Sequence, residues 1–589
     1  MKRLLLLIIS SVFLLTAAQA DVRYVKPNGT GNGSSWDNAS PDLQAMINAS
    51  AAGDEVWVAA GSYQPVTSGT SFSMKSGVKI YGGFPNIGNP VMADRNGTTN
   101  MTTLQGNGNS VVSNNNVAAT ALLDGFTITG GATGLGGGMH NASSSPTLTN
   151  CTFLDNKATD SGGGMFNGSS SFPTLTNCRF WGNTATNYGG GISNDNASPG
   201  ISNCTFSDNT AGNSGGGISN DHASPGISNC TFSGNTASSV GGGIDNFSSS
   251  PTISNCAFLG NTANYYGGGI SNTSSSPTIS NCIFSGNKGR SYGGGIYNYS
   301  GSSSTISNCT FSGNTASSGG GISNTSYSTL TIRNSIILGN NTGVYNANST
   351  TTIRYSLVQG RAADAGNHNL DGSSITAADV FAGPVGADMA PTTAGDYRLK
   401  AGSIAINAGN NGDVPGNSTD ITGGPRIVGN AVDLGAYEYT TVLPVNFSQV
   451  FAYIQNNSLY INWRTTTETN NDHFDIEVAA AGRSFYKIGT VLSKATGGNS
   501  TMELNYAFSA GAASLLAAPA ILLFVLVGFK KRRNQWAMAL ALGGLLLVIS
   551  CTKNDAAINA NAKELFIRIK QVDKDGRSEY SKTVRAVTE

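Results

Sequence analysis

Asp195 and Asp221 stand 26 residues apart, at one phase of adjacent copies of a repeat. If the copies stack as neighbouring strands, the two carboxylates come within roughly 5 Å, the separation found in a retaining glycosidase. His222 follows Asp221, but its counterpart one copy back is Asn196. At the aspartate phase the next copy has Phe247 and the previous one Ser169, so the acidic row stops at two. The plainer alternative is a solvated loop. A lyase would need more clustered acids to hold Ca2+ and a basic residue to take a sugar proton. The repeats are poor in both, so Ca2+ enters only with that alternative. Tyr188, Tyr265, Tyr266, Tyr292 and Tyr299 offer different chemistry. Aromatic platforms beside rows of Ser, Thr and Asn suit sugar rings, although tyrosines at coil corners can also stack simply to hold turns.

Other chemistries find little support. There is no CxxC pair, and His140, His222, His368 and His473 are scattered, so no metal site is expected. Charged residues make up 11% of the chain and the formal net charge is zero, which excludes a nucleic-acid-binding surface.

The elements that must position these side chains follow from the cysteines at 151, 178, 204, 230, 256, 282 and 309, with gaps of 27, 26, 26, 26, 26 and 27. One supersecondary unit is copied in tandem, and such units stack as a solenoid. A copy reads Gly241-Gly242-Gly243-Ile244, then Pro251 through Cys256 and Phe258 to Asn261. Short alternating apolar bursts between turn residues predict one parallel β-helix coil per copy, with about three short strands. Ile, Cys and Phe point inward, and Cys serves as a small buried hydrophobe rather than a disulfide partner. Asn255 and its equivalents sit at a bend, where left-handed backbone and an amide ladder are expected. The slot held by Asp155, Gly182, Asp208, Gly234, Gly260, Gly286 and Gly313 predicts a tight turn at positive φ, and the Gly triplets another.

The flanks divide the chain further. Residues 1–20 have a basic start, a leucine-rich core and Ala18-Gln19-Ala20, the pattern of an export signal. Residues 21–135 are expected to form an N-terminal cap and first coils. Within them Ser40, as N-cap, starts a short helix over the open end, and Val56–Val58 and Val78–Tyr81 are strands. Residues 136–340 are the repeat, and 341–440 lose it, as a terminal cap would. Alternating segments in 443–507 and 563–589 predict a small β-sandwich. They include Leu459–Trp463, His473–Val478, Phe485–Gly489, Leu565–Lys570 and Tyr580–Val584.

Between those segments, 508–551 reads as a transmembrane hairpin. Phe508–Phe529 has 22 residues without a charge and Trp536–Cys551 has 16, separated by Lys530-Lys531-Arg532-Arg533. A rival reading of the same stretch is an internal lipoprotein signal, with Val548-Ile549-Ser550-Cys551 as its lipobox and Cys551 taking the lipid.

Tyr24-Val25-Lys26-Pro27, Gly53–Val58 and Gly77–Phe84 resemble the opening of pectin-lyase-like right-handed β-helix proteins. The Gly-Gly-Gly-Ile and Phe-x-x-Asn units are similar to repeats of chlamydial-type polymorphic outer-membrane proteins. Asp420, Arg426 and Asp433–Glu438 resemble the ending of a choice-of-anchor domain, and 443–589 resembles the fibronectin-type module of Bacteroidetes surface proteins. The resemblance implies a right-handed, exported rod in a Gram-negative envelope, and a charged network that holds the cap. The expected function is that of a membrane-attached adhesin or glycan-binding protein without catalysis, with a polysaccharide or cell-surface ligand as partner. The alternatives are a lyase or glycosidase acting on acidic polysaccharide, or a stalk without a ligand. The outer surface and the inner membrane stand as alternative locations.

Overall fold

The computed structural model describes residues 20–439 except 416–417. It also describes 447–511 and 565–588, with short breaks at 457, 469–470, 481–483, 496–499, 501 and 574–577. All but the last residue of the expected export signal (1–20), most of the expected apolar hairpin and Cys551 lie outside the described residues. Among those described, no helix is long and apolar enough to cross a membrane. Phe508–Gly511, assigned above to the first span, instead end a strand, Leu504–Gly511, whose residues pair with Ser458–Thr465.

Two compact units divide the chain, at Tyr439/Thr440. The first is a parallel β-helix with four faces rather than three. Its sheets have 13, 12, 10 and 7 strands. In one coil, Thr252–Ser254 lies on the first sheet, Ala257–Leu259 on the second, Thr262–Ala263 on the short fourth and Ile270–Thr273 on the third. The pairing is in register from coil to coil, Ile on Ile, Phe on Phe and Ala on Ala.

Register turns each inward position into a line of identical side chains. The rings from Phe153 to Phe311 stack at centroid distances of 4.5–4.9 Å, which is the rise per coil. The amide ladder runs not on the bend asparagines but on two other lines. In one, Asn235 Nδ2 donates to Asn261 Oδ1 at 2.9 Å and to Phe206 O at 2.9 Å, and Asn235 N donates to Asn261 Oδ1 at 3.1 Å. In the other, Asn220 Nδ2 donates to Asn246 Oδ1. Asn255 has its positive φ, but its side-chain oxygen is buried without a partner, and on the bend line Asn177 Nδ2 donates to Asn150 Oδ1 at 3.4 Å. The cysteines are free and do more than fill space. Cys256 Sγ accepts from Cys230 N at 3.4 Å, so the thiol satisfies a bend N–H that would otherwise be orphaned. Ser335 does the same for Cys309 N beyond the last cysteine.

Glycine is needed where coils approach most closely. A Cβ on Gly242 would lie 2.4 Å from Gly268 O, and Gly241 has φ +67. The Asp/Gly slot is at positive φ in every copy from Asp155 to Gly313.

At the N-terminal end the helix Leu43–Ala49 packs Leu43 and Ile47 into the core. Its N-cap is Asp42, which accepts from Ala45 N; Ser40 instead accepts from Asp42 N. At the other end the repeat signature stops before the solenoid does. Val344–Ala347, Thr350–Arg354 and Leu357–Val358 add one more coil without the cysteine or the Gly triplet. The segment after it folds back over the Phe sheet, where Val380, Phe381, Tyr397 and Leu399 pack on Ile283 and Ile336. Arg426 is buried there, its guanidinium 3.1 Å from Glu438 Oε2 and donating to Asp433 O. Burial pushes the Glu438 carboxyl up to about 7, aided by the Asp433 charge.

The second unit contains a four-stranded sheet and a five-stranded sheet, largely antiparallel, around one core that includes Ile461, Trp463, Phe474, Ile476 and Ile567. Leu565–Asp573 pairs with Asn471–Ala480, so strands on either side of the apolar stretch share a sheet. The last predicted strand is split into Ser578–Tyr580 and Val584–Arg585.

Candidate functional site

The third face of the rod carries Ile-x-Asn-x strands. Ile and Asn point inward, so the residues between and after them point out. Three outward lines run along the axis from these strands and the turn before them, and they bound a groove of about 850 Å³. Its floor is Phe166, Ser193, Ser219, Asp245, Ser271 and Tyr297, consecutive partners in the pairing register. One wall is Ser161, Tyr188, Ser214, Val240 and Tyr266. The other wall is Asp195, Asp221, Phe247, Thr273 and Tyr299. At the observed coil spacing, six floor rungs span roughly 24 Å.

The two halves of the groove differ. The end toward the C-terminus is aromatic. Tyr297 lies on the floor between Tyr266 at 4.9 Å and Tyr299 at 5.9 Å, and Tyr292 continues the wall 5.7 Å from Tyr266. Burial raises the Tyr297 hydroxyl pKa. The middle is acidic. Asp195 and Asp221 are aligned strand partners, as their spacing predicts; the residue one coil before Asp195, however, is Gly168 rather than Ser169, because that coil has 27 residues. Asp195 accepts from Asn196 Nδ2 at 2.7 Å, and Asp221 Oδ1 lies 2.6 Å from His222 Nδ1. Both pairs sit in solvent on the rim.

Asp245 is the residue that spacing did not bring forward. It occupies the floor, is 8% exposed and has no ion-pair partner among the described residues. Burial pushes its carboxyl up to about 7; the Asp221 charge adds to the rise and the Ser271 hydroxyl opposes it. Among the repeat copies with serine at this position, only the Ile244 copy replaces it with an acid, and that break in pattern was a readable signal. Of the predicted tyrosines, Tyr188, Tyr266 and Tyr299 line the groove, Tyr292 backs Tyr266, and Tyr265 is exposed on the shoulder outside it. Among the described residues, no group of three or more His, Cys, Asp or Glu is placed to hold a metal ion.

The family model for the right-handed β-helix region matches residues 91–258 and 246–380, the coils that carry this groove. The rod is a right-handed β-helix. No curated protein matches the chain. Among solved structures, the enzymatically active domain of tailspike protein 4 of bacteriophage CBA120 is similar at 11% identity with a TM-score of 0.30, over 80% of this chain. This chain spans 61% of that one. In this β-helix the inward lines define the fold, and the outward lines of the third face define the site.

Proposed function

We propose that the β-helix is the glycan-binding part of an exported cell-envelope protein, and that the groove on its third face holds an extended carbohydrate chain. The observation that carries this reading is the continuous groove itself. It has a floor that includes Ser193, Ser219, Ser271 and Asp245, aromatic faces at Tyr188, Phe247, Tyr266, Tyr297 and Tyr299, and a direction parallel to the rod. Rings stack on such faces while hydroxyl rows exchange hydrogen bonds with sugar hydroxyls. The export signal and the apolar stretch that follows Gly511, up to Cys551, support a place in the envelope, with attachment through that stretch or through Cys551. The test is size-exclusion chromatography of the full chain with neutral, amino and acidic polysaccharides. Protein co-eluting with intact polymer, and released by Tyr266→Ala, is the expected result; no co-elution with any polymer rejects the reading.

Asp245 favours a second reading, glycoside hydrolysis. A buried carboxyl titrating near neutrality, with the more exposed Asp221 near enough to raise it, meets the requirement for an acid paired with a base or nucleophile. Polymer that shortens with the native chain and stays intact with Asp245→Asn would establish it.

A further inference from the structure

We infer that the carbohydrate chain held in the groove carries free, protonated amines, as in a polymer of glucosamine. The inference rests on the glycan-binding reading and adds the charge of the ligand. Four carboxylates line the groove, those of Asp160, Asp195, Asp221 and Asp245, and no lysine or arginine does. His222, whose Nδ1 lies 2.6 Å from Asp221 Oδ1, is not part of the lining.

Asp245 decides the sign. A carboxyl 8% exposed at the bottom of a concave site, with no ion-pair partner among the described residues, loses most of its hydration on ionising without gaining a counter-charge. A ligand ammonium donating into the floor would supply that counter-charge. Asp195 and Asp221, one coil apart on the wall, add to the same negative field, which the concave walls concentrate. The coil rise of 4.5–4.9 Å is close to the advance per pyranose of an extended chain, so sugar units can keep step with the rungs along the groove. A uronate polymer would bring carboxylates against carboxylates, which opposes the acidic-polysaccharide alternative raised from sequence. A neutral glycan would supply no counter-charge to Asp245 and would leave it as the neutral acid.

The test compares the full chain's affinity, by calorimetry near neutral pH, for hexamers of glucosamine, N-acetylglucosamine and galacturonate, and for hexalysine. The glucosamine hexamer should bind about 10-fold tighter than its acetylated form, and galacturonate should not bind detectably. In Asp195→Asn/Asp221→Asn and in Asp245→Ser, which restores the residue of the neighbouring rungs, the preference should shrink to about 3-fold or less. Equal affinity for acetylated and free-amine hexamers overturns the inference but leaves glycan binding standing. So does hexalysine binding as tightly as the glucosamine hexamer, because the groove would then take any cationic chain. Failure of every oligosaccharide to bind removes the glycan-binding reading itself.

Discussion

The inside and the third outer face of the β-helix are built by the same coils and obey opposite rules. Inside, the Phe line is unbroken from Phe153 to Phe311, and the Asn line passes through Asn183, Asn209, Asn235, Asn261, Asn287 and Asn314 without a substitution. On the groove floor six rungs carry four residue types: Phe166, Ser193, Ser219, Asp245, Ser271, Tyr297. An inward side chain must fit its copies above and below, so the lattice selects one residue per line. An outward side chain has no such partner to match, and variation there is free to serve a ligand. Within a repeat protein, the site lies where the repeat is broken on the outside.

The contrast is best challenged where it predicts the largest effect. Phe232→Ala should cost about 3–5 kcal/mol in denaturant unfolding followed by circular dichroism, because both flanking rings lose a face and the void cannot collapse. Asn235→Ala should cost about 2–3 kcal/mol, since it strands Asn209 N–H and Phe206 O without partners. Asp245 lies between the two regimes. Its folded pKa of about 7 stands above the ordinary 3.8, so the folded state holds the proton after the unfolded chain has released it. Stability from this residue is therefore fully present below about pH 4 and declines as pH rises from there through about 7. Asp245→Asn should flatten that part of the pH profile, and an unchanged slope would show that the floor is better hydrated than its burial implies. The smallest effect belongs to the wall: Asp195→Asn and Asp221→Asn should each change stability by no more than about 0.5 kcal/mol. A wall substitution as damaging as Phe232→Ala would erase the distinction between the two surfaces.

The same rule explains what could be read from the chain. Inward lines repeat by necessity, so the coil, the Cys and Phe stacks and the positive-φ turns were legible from the period alone. The groove was only half legible. Asp195 and Asp221 announced themselves by recurring, whereas Asp245 occurs once and a search for period passes over it. The choice of asparagine for the ladder was misread for a related reason: Asn255 and Asn261 recur equally, and only the direction of Cβ, set by the turn between them, distinguishes an outward bend residue from an inward amide. The extra coil at Val344–Val358 escaped because Ser335 and Ser356 replace the cysteine, keeping its hydrogen bond while removing its letter. Fold-back of 371–439 over the Phe sheet is set by long-range contacts, such as Ser285 Oγ donating to Tyr397 Oη at 2.7 Å, that no local pattern encodes.

The asparagine line that contains Asn235 also has a direction. From Asn156 to Asn314 each side-chain oxygen is held by the backbone N–H of the preceding coil, and a backbone N–H can only donate. No amide in the line can therefore flip by itself, and all of their dipoles add head to tail along the axis, polarising one another as they do so. The interior of the rod is thus electrically ordered like a row of aligned magnets, with one end of the row distinguishable from the other by field alone, even where the coils themselves are copies.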